Sequence, residues 1–295
     1  MDTQKEAARI AALLEEQNYI GDDTIVTSLL IAEHLRKPLL VEGPAGVGKT
    51  EIAKVLARAL DTELIRLQCY EGLDSSTALY EWDYKRQLLH IRLSEQESSS
   101  LAERERELFD ERYLLKRPLL QAITQQQRSP VLLVDELDRA DEEFEAFLLE
   151  VLSDWQISIP ELGTVSASHV PYVVVTSNRT RELSDAVRRR CLYLWIDYPD
   201  YAKELAIVRR RVPGIDAALA DQICRFVAAA RTQPLQKVPG IAETLDWAAT
   251  LVALHRDCLD EEVVAATLGV VFKSHDDVTH VRRQTRQMLA SLAAG

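Results

Sequence analysis

Apolar residues recur along this chain with two different periods, and one of the two stops part-way. Ile10, Leu13, Leu14 and Gln17 repeat at helical spacing, and Ile25, Leu29 and Ala32 do so after the start signal Asp22-Asp23, predicting two opening helices. Pro38-Leu39-Leu40-Val41-Glu42 is a short apolar run with a proline at its edge and reads as a buried strand. A glycine-rich turn follows. Ile52, Val55, Leu56 and Ala59 then form a helical stripe within residues 51–60, and Leu64 to Cys69 reads as a second strand. Strand, helix and strand in that order make a βαβ unit with a parallel sheet.

Further strands are predicted at Val131–Val134, Val173–Thr176 and Leu192–Ile196, the first an uninterrupted apolar run suited to burial on both faces. Residues 79–93 alternate large apolar and charged side chains, which predicts a solvent-facing β-hairpin with Tyr80, Trp82 and Tyr84 on one face. Residues 94–117, Ser-rich and charged and then helical, read as a solvated excursion, and residues 155–166 as a second hairpin turning near Gly163. After Pro199 the strand signal ends. Stripes at Leu219, Ile223, Phe226, Val227 and Ala230, at Leu245, Ala248 and Val252, and at Val278, Val281, Met288 and Leu289 are all helical. The expectation is an α/β domain over 1–199 and an all-helical domain over 200–295.

Composition narrows the field. A 47% hydrophobic content over 295 residues can build a sizeable core, which excludes a largely disordered chain. Acidic residues number 47 against 35 basic, a formal charge of −12, so the molecule as a whole repels polyanions and nucleic acid is a disfavoured partner. Cys69, Cys191, Cys224 and Cys258 lie far apart without a CxxC pair, as expected of buried reduced thiols. The first residues carry no basic segment before an apolar one, so no secretory signal is expected. No apolar run approaches the roughly 18 residues of a membrane span, and the expected location is cytoplasmic.

The chemistry concentrates at a few points. Gly43-Pro44-Ala45-Gly46-Val47-Gly48-Lys49-Thr50 is a GxxxxGK[ST] run between a strand and a helix, the setting in which backbone N–H groups cradle phosphates. Lys49 is expected to reach the β- and γ-phosphates and Thr50 to ligate Mg²⁺, with Glu51 closing the nucleotide-contacting run. Asp135 and Glu136 end a buried strand, at the sheet edge where ligands bind in open α/β folds. Asp135 is the candidate magnesium residue and Glu136 the candidate polariser of the attacking water. Asn178 closes another strand and is a candidate for contact with that water or the γ-phosphate. Among Arg188, Arg189 and Arg190, one guanidinium is a candidate for a neighbouring subunit's nucleotide. No guanine-reading NKxD segment follows, which favours ATP over GTP. His275-Asp276-Asp277-Val278-Thr279-His280 holds metal-competent side chains but reads as a helix cap.

In this order, GPAGVGKT, VLLVDE, VVVTSN and AVRRRC before a strand and an all-helical tail resemble an AAA+ ATPase. The two predicted hairpins resemble inserts of the MoxR family. RLQCYEGLD at 66–74, ALYEWDYKRQLL at 78–89 and PGIAETLDW at 239–247 are similar to the CoxD-like branch that accompanies carbon monoxide dehydrogenase and related molybdenum hydroxylases. The fold so implied is a P-loop NTPase: a parallel sheet flanked by helices, with β-hairpin inserts and a small all-helical lid. The resemblance also implies Asn178 as sensor 1, Arg190 or else Arg189 as a finger acting in trans, and Ile20-Gly21 as an adenine contact. It implies a hexameric ring of this chain, with a von Willebrand A-domain adaptor and a metalloenzyme client. The family's sensor 2 arginine is missing from Gly240-Ile241-Ala242-Glu243-Thr244. Two other functions compete. A DNA-associated AAA+ motor is disfavoured by the charge and by hairpin turns without Lys/Arg clusters, and a slow nucleotide-gated scaffold is disfavoured by Glu136 and Asn178.

Overall fold

The apolar runs become strands of one five-stranded sheet, ordered β2-β5-β8-β1-β9. These are β1 (Leu39–Glu42), β2 (Leu64–Gln68), β5 (Val131–Asp135), β8 (Tyr172–Ser177) and β9 (Leu192–Trp195). The pairs β2/β5, β5/β8 and β8/β1 are parallel. Every residue of β5 is buried, as its unbroken apolar character requires of a strand covered on both faces. The registers align Gln68 with Asp135 and Glu42 with Ser177, so the carboxyl ends of neighbouring strands finish together on one edge.

The computed structural model describes residues 3–93 and 107–293, so residues 94–106 of the expected solvated excursion lie outside it. The chain divides into two compact units. The first holds the described part of Met1–Ile10, together with Asp23–Glu42 and Thr50–Leu194; the second holds Ala11–Asp22, Gly43–Lys49 and the described part of Trp195–Gly295.

In the first unit, helices α2 (Asp23–Leu35), α3 (Lys49–Ala59, from Thr50 onward), α4 (Ser75–Ala78), α5 (Tyr84–Leu93), α6 (Pro118–Ile123), α7 (Glu142–Asp154) and α8 (Asp185–Arg190) accompany the sheet; α1 (Thr3–Glu16) runs from this unit into the other. The second predicted hairpin is present as β6 (Gln156–Ile159) against β7 (Gly163–Ser166).

The first predicted hairpin is not formed within residues 79–93. Strand β3 (Tyr80–Trp82) instead pairs antiparallel with β4 (Leu114–Lys116), and the chain turns helical at Tyr84. Asp83 explains the switch, because its side chain accepts the Arg86 N–H at 3.0 Å and its carbonyl accepts the Gln87 N–H, a helix start. Over so few residues, alternation and helical spacing cannot be told apart. The three rings therefore do not share one exposed face. Trp82 is only 6% exposed and packs edge-on to Phe109 at 5.3 Å, Tyr80 is half-buried, and Tyr84 is exposed on α5.

In the second unit, α9 (Tyr201–Arg211), α10 (Ala217–Arg231), α11 (Ile241–Ala253), α12 (Glu261–Val271) and α13 (His275–Ala293) enclose a core of Val208, Ile223, Phe226, Trp247, Val264 and Phe272. Asp200, Asp216 and Asp260 cap three of these helices by accepting N–H groups of the first turn. Asp277 is buried and accepts the Gln236 and Lys237 N–H groups, so the His275–His280 segment serves to anchor α13. No group of three or more His, Cys, Asp or Glu able to hold a metal occurs among the described residues. The cysteines differ from the uniform expectation: Cys69 and Cys224 are buried, Cys191 is half-buried and Cys258 is exposed.

Candidate active site

Asp135 ends β5 with its carboxylate almost fully enclosed, at 4% exposure. Its Oδ1 accepts the hydroxyls of Thr50 at 3.0 Å and Thr176 at 2.6 Å, and its Oδ2 accepts Arg66 Nη2 at 2.5 Å and Nε at 3.1 Å. Thr176 lies one residue short of the end of β8, and its Oγ1 also accepts the Glu136 backbone N–H at 2.9 Å. That bond matters because Glu136 sits at φ 56°, in the left-handed region that a residue with a side chain enters only when its surroundings hold it there.

The Glu136 carboxylate is held on both oxygens. Oε1 accepts Asn178 Nδ2 at 3.3 Å, while Oε2 accepts Gln68 Nε2 at 3.1 Å and pairs with Arg139 Nε at 2.9 Å. Asn178 is itself placed by Asp138, a buried acid that accepts the Asn178 N–H at 3.1 Å and both the N–H and hydroxyl of Thr180. Asp135, Glu136 and Asn178 are thus brought together by the level ends of β5 and β8, and Thr50 joins them from the first turn of α3. Arg66, Gln68, Asp138, Arg139 and Thr176 belong to the same cluster and were missed by reading the sequence. Their signal was available in part, since Arg66 and Gln68 are polar at alternate positions of a strand whose Ile65 and Leu67 are buried. Cys69, next to this cluster, has its thiol pushed up to about 12, chiefly by burial and then by Asp135, Asp138 and Glu136.

The three arginines separate. Helix α8 is capped by Ser184, whose own N–H is held by the buried Glu145 at 2.9 Å. Arg188 turns toward Glu42, 3.8 Å away, beside the Tyr193 hydroxyl that donates to the same carboxylate. Arg189 and Arg190 are exposed, make no ion pair among the described residues, and do not join the Asp135–Glu136 cluster. They line a cavity of about 320 Å³ together with Arg36, Lys37, Leu148, Leu152 and Val187.

In the second unit, the Gly43–Lys49 loop is folded tightly on itself. Lys49 is buried, and its Nζ donates to the carbonyls of Gly43 at 2.8 Å and Pro44 at 2.6 Å. Gly46 has φ +77°, and its carbonyl accepts the Ala242 N–H from the first turn of α11 at 3.3 Å. Ala45 is exposed and Val47 buried, while Gly48 is half-buried with φ +93°. Ile20 and Gly21 are half-buried in the link after α1. Within the Gly240–Thr244 segment, Glu243 folds back to accept the Gly240 N–H at 2.9 Å. Arg231 braces this turn: it donates to the Pro239 carbonyl at 2.8 Å and pairs with the buried Glu204 at 2.6 Å. In the first unit, Glu51 forms looser pairs with Lys54 and Arg58, both at 3.8 Å.

The residues fit a magnesium ion. Thr50 and Asp135 offer two hard oxygens side by side, and magnesium takes one or two protein oxygens with substrate phosphates and water completing its shell.

A parallel sheet with this strand order, a GxxxxGKT loop after β1 and paired acids at the end of β5 define a P-loop NTPase of the AAA+ class. Residues 38–191 match the AAA domain family, dynein-related subfamily, and the chain belongs to it. An uncharacterized protein of Staphylococcus haemolyticus is 23% identical over 231 residues, covering 76% of this chain and 80% of the relative. A solved structure from Cytophaga hutchinsonii, provisionally assigned as an ATPase, aligns over 99% of this chain and 95% of its own with a TM-score of 0.51 at 16% identity. A variant of Thermotoga maritima RuvB aligns over 90% of this chain and 70% of its own with a TM-score of 0.48 at 18% identity. No helix among the described residues is long and apolar enough to cross a membrane.

Proposed function

We propose that this chain is a Mg-ATP-dependent ATPase that works in a ring as a chaperone-like remodeler, serving the maturation of a molybdenum hydroxylase such as carbon monoxide dehydrogenase. The observation that carries the ATPase reading is the Thr50–Asp135–Thr176 cluster joined through β5 to a Glu136 held by Asn178. The backbone N–H groups of the 43–49 loop, Pro44 excepted, and the Lys49 ammonium take the phosphate charge. Thr50 and Asp135 hold magnesium, which when bound neutralises charge on the phosphate oxygens. Glu136 accepts a proton from the attacking water, and Asn178 orients that water. Ile20 and Gly21 contact the adenine. Arg190, or Arg189 in its place, reaches a neighbouring subunit's γ-phosphate, and the absence of any ion pair on either side chain among the described residues supports this. The client class and the von Willebrand A-domain adaptor rest on the RLQCYEGLD, ALYEWDYKRQLL and PGIAETLDW segments.

The test is a paired binding and phosphate-release assay. Lys49→Ala should lose nucleotide binding, whereas Glu136→Gln should bind ATP and hydrolyse it about 10²- to 10⁴-fold more slowly, the scale of a lost general base. Unchanged turnover in Glu136→Gln would overturn the assignment. The ATP-locked Glu136→Gln ring then serves as bait, and recovery of a molybdenum hydroxylase subunit is the expected result.

A further inference from the structure

Arg66 places a cation on the enclosed Asp135 carboxylate, and neither motif contains it. It sits at the centre of β2, with Ile65 and Leu67 turned into the core and Gln68 on its own face. Two of its nitrogens converge on Asp135 Oδ2, and Nη2 also donates to the Gln68 side-chain oxygen. Because Gln68 accepts from Arg66 through its oxygen, its amide nitrogen is the end left to donate to Glu136. One guanidinium thus cancels the charge of Asp135 and sets the amide orientation facing Glu136.

We propose that Arg66 is a positioning residue that makes divalent-metal binding at Asp135 conditional on the nucleotide. This rests on the reading of Asp135 as the magnesium carboxylate. A lone carboxylate beside a threonine hydroxyl would attract a free divalent cation, but Asp135 and Arg66 together form a neutral pair with nothing to offer a bare ion. Phosphate oxygens restore the missing negative charge. The ion then binds only as a metal–nucleotide complex, and Asp135 stays neutralised rather than buried and unpaired in between. Arg66 is half exposed, at 51% of its side chain, so the guanidinium has room to draw back when the ion arrives.

The experiment titrates Mn²⁺ into the intact, nucleotide-free protein and reads bound ion by electron paramagnetic resonance, with a thermal melt on each variant. Arg66→Met and Arg66→Gln should tighten nucleotide-free Mn²⁺ binding about tenfold, in the screening of a half-exposed charge. Arg66→Lys, which keeps the charge, should stay near the wild type. Unchanged or weaker binding in both neutral variants overturns the proposal. The double variants Arg66→Met/Asp135→Asn and Arg66→Gln/Asp135→Asn separate the two readings. If the gained Mn²⁺ binding survives loss of the carboxylate, the assignment of Asp135 itself falls. If no gain appears but Asp135→Asn alone weakens Mn²⁺–ATP binding, only the role of Arg66 falls.

Discussion

Gly240 lies so close to Gly46 that a methyl group on it would sit 2.6 Å from the Gly46 carbonyl oxygen. Its φ of −87° is open to any residue, so this glycine is required by space and not by backbone conformation. The obstacle is backbone, which cannot swing aside as a side-chain tip can. Gly240→Ala should therefore cost about 1–3 kcal/mol, as overpacking does, and weaken nucleotide binding by displacing the Gly46 peptide. Gly269, inside α12 with nothing within 4 Å, is the control: Gly269→Ala should be neutral or raise stability by about 0.5–1 kcal/mol. Denaturant melts and a fluorescent-nucleotide titration on both variants check the contrast.

Thr176 makes two bonds with one hydroxyl, donating to Asp135 and accepting the Glu136 N–H. Thr176→Val keeps the shape and removes both. The expected cost is about 1–3 kcal/mol of stability, the scale of a buried polar group left unsatisfied, together with a fall in phosphate release. Thr176→Ser should retain most of the activity, and equal losses in the two variants would show that the methyl matters as much as the hydroxyl.

The arginines of α8 should behave differently from one another. Arg190→Ala, with Arg189→Ala as the alternative, should abolish turnover with ATP affinity nearly intact, and mixing it with Lys49→Ala subunits should restore part of the activity. Arg188→Ala removes a contact to Glu42 within its own chain, so mixing should not rescue it. Phosphate release from mixed rings of confirmed assembly is the measurement.

Trp82 belongs to the core of the first unit, packed beside Tyr80 and Phe109. Trp82→Ala should lower stability by about 3–5 kcal/mol, the usual cost of emptying a large aromatic site. A shift of the thermal midpoint by several degrees checks it. Tyr84→Ala, exposed on α5, should leave that midpoint unchanged.

Thiol reactivity should follow burial. The thiols of Cys69, Cys191 and Cys224 are each pushed up to about 12, with burial the largest cause, so at pH 8 they stay protonated. A disulfide reagent at that pH should modify the exposed Cys258 first, the half-buried Cys191 more slowly, and Cys69 and Cys224 only on unfolding.

Much of the fold was legible because its strongest signals are local. An unbroken run such as Val131–Val134 has to be a strand covered on both faces, and Gly43 to Thr50 carries its phosphate-cradling character in its own spacing. Chain order then sets a parallel sheet, which brings the end of β5 and the end of β8 to a common edge. The partners of those residues were not legible. Arg66 and Gln68 precede Asp135 by more than sixty residues in the chain, and only the β2/β5 register places Gln68 level with Asp135, with Arg66 on the same face of β2. The pairing of β3 with β4 depended on a contact across a long excursion, which no local period encodes, and Asp83 decided the helix that followed. The fit of Gly240 against Gly46 was hidden for the same reason. A glycine needed for close approach looks like any other until the fold supplies the neighbour that leaves no room for a side chain.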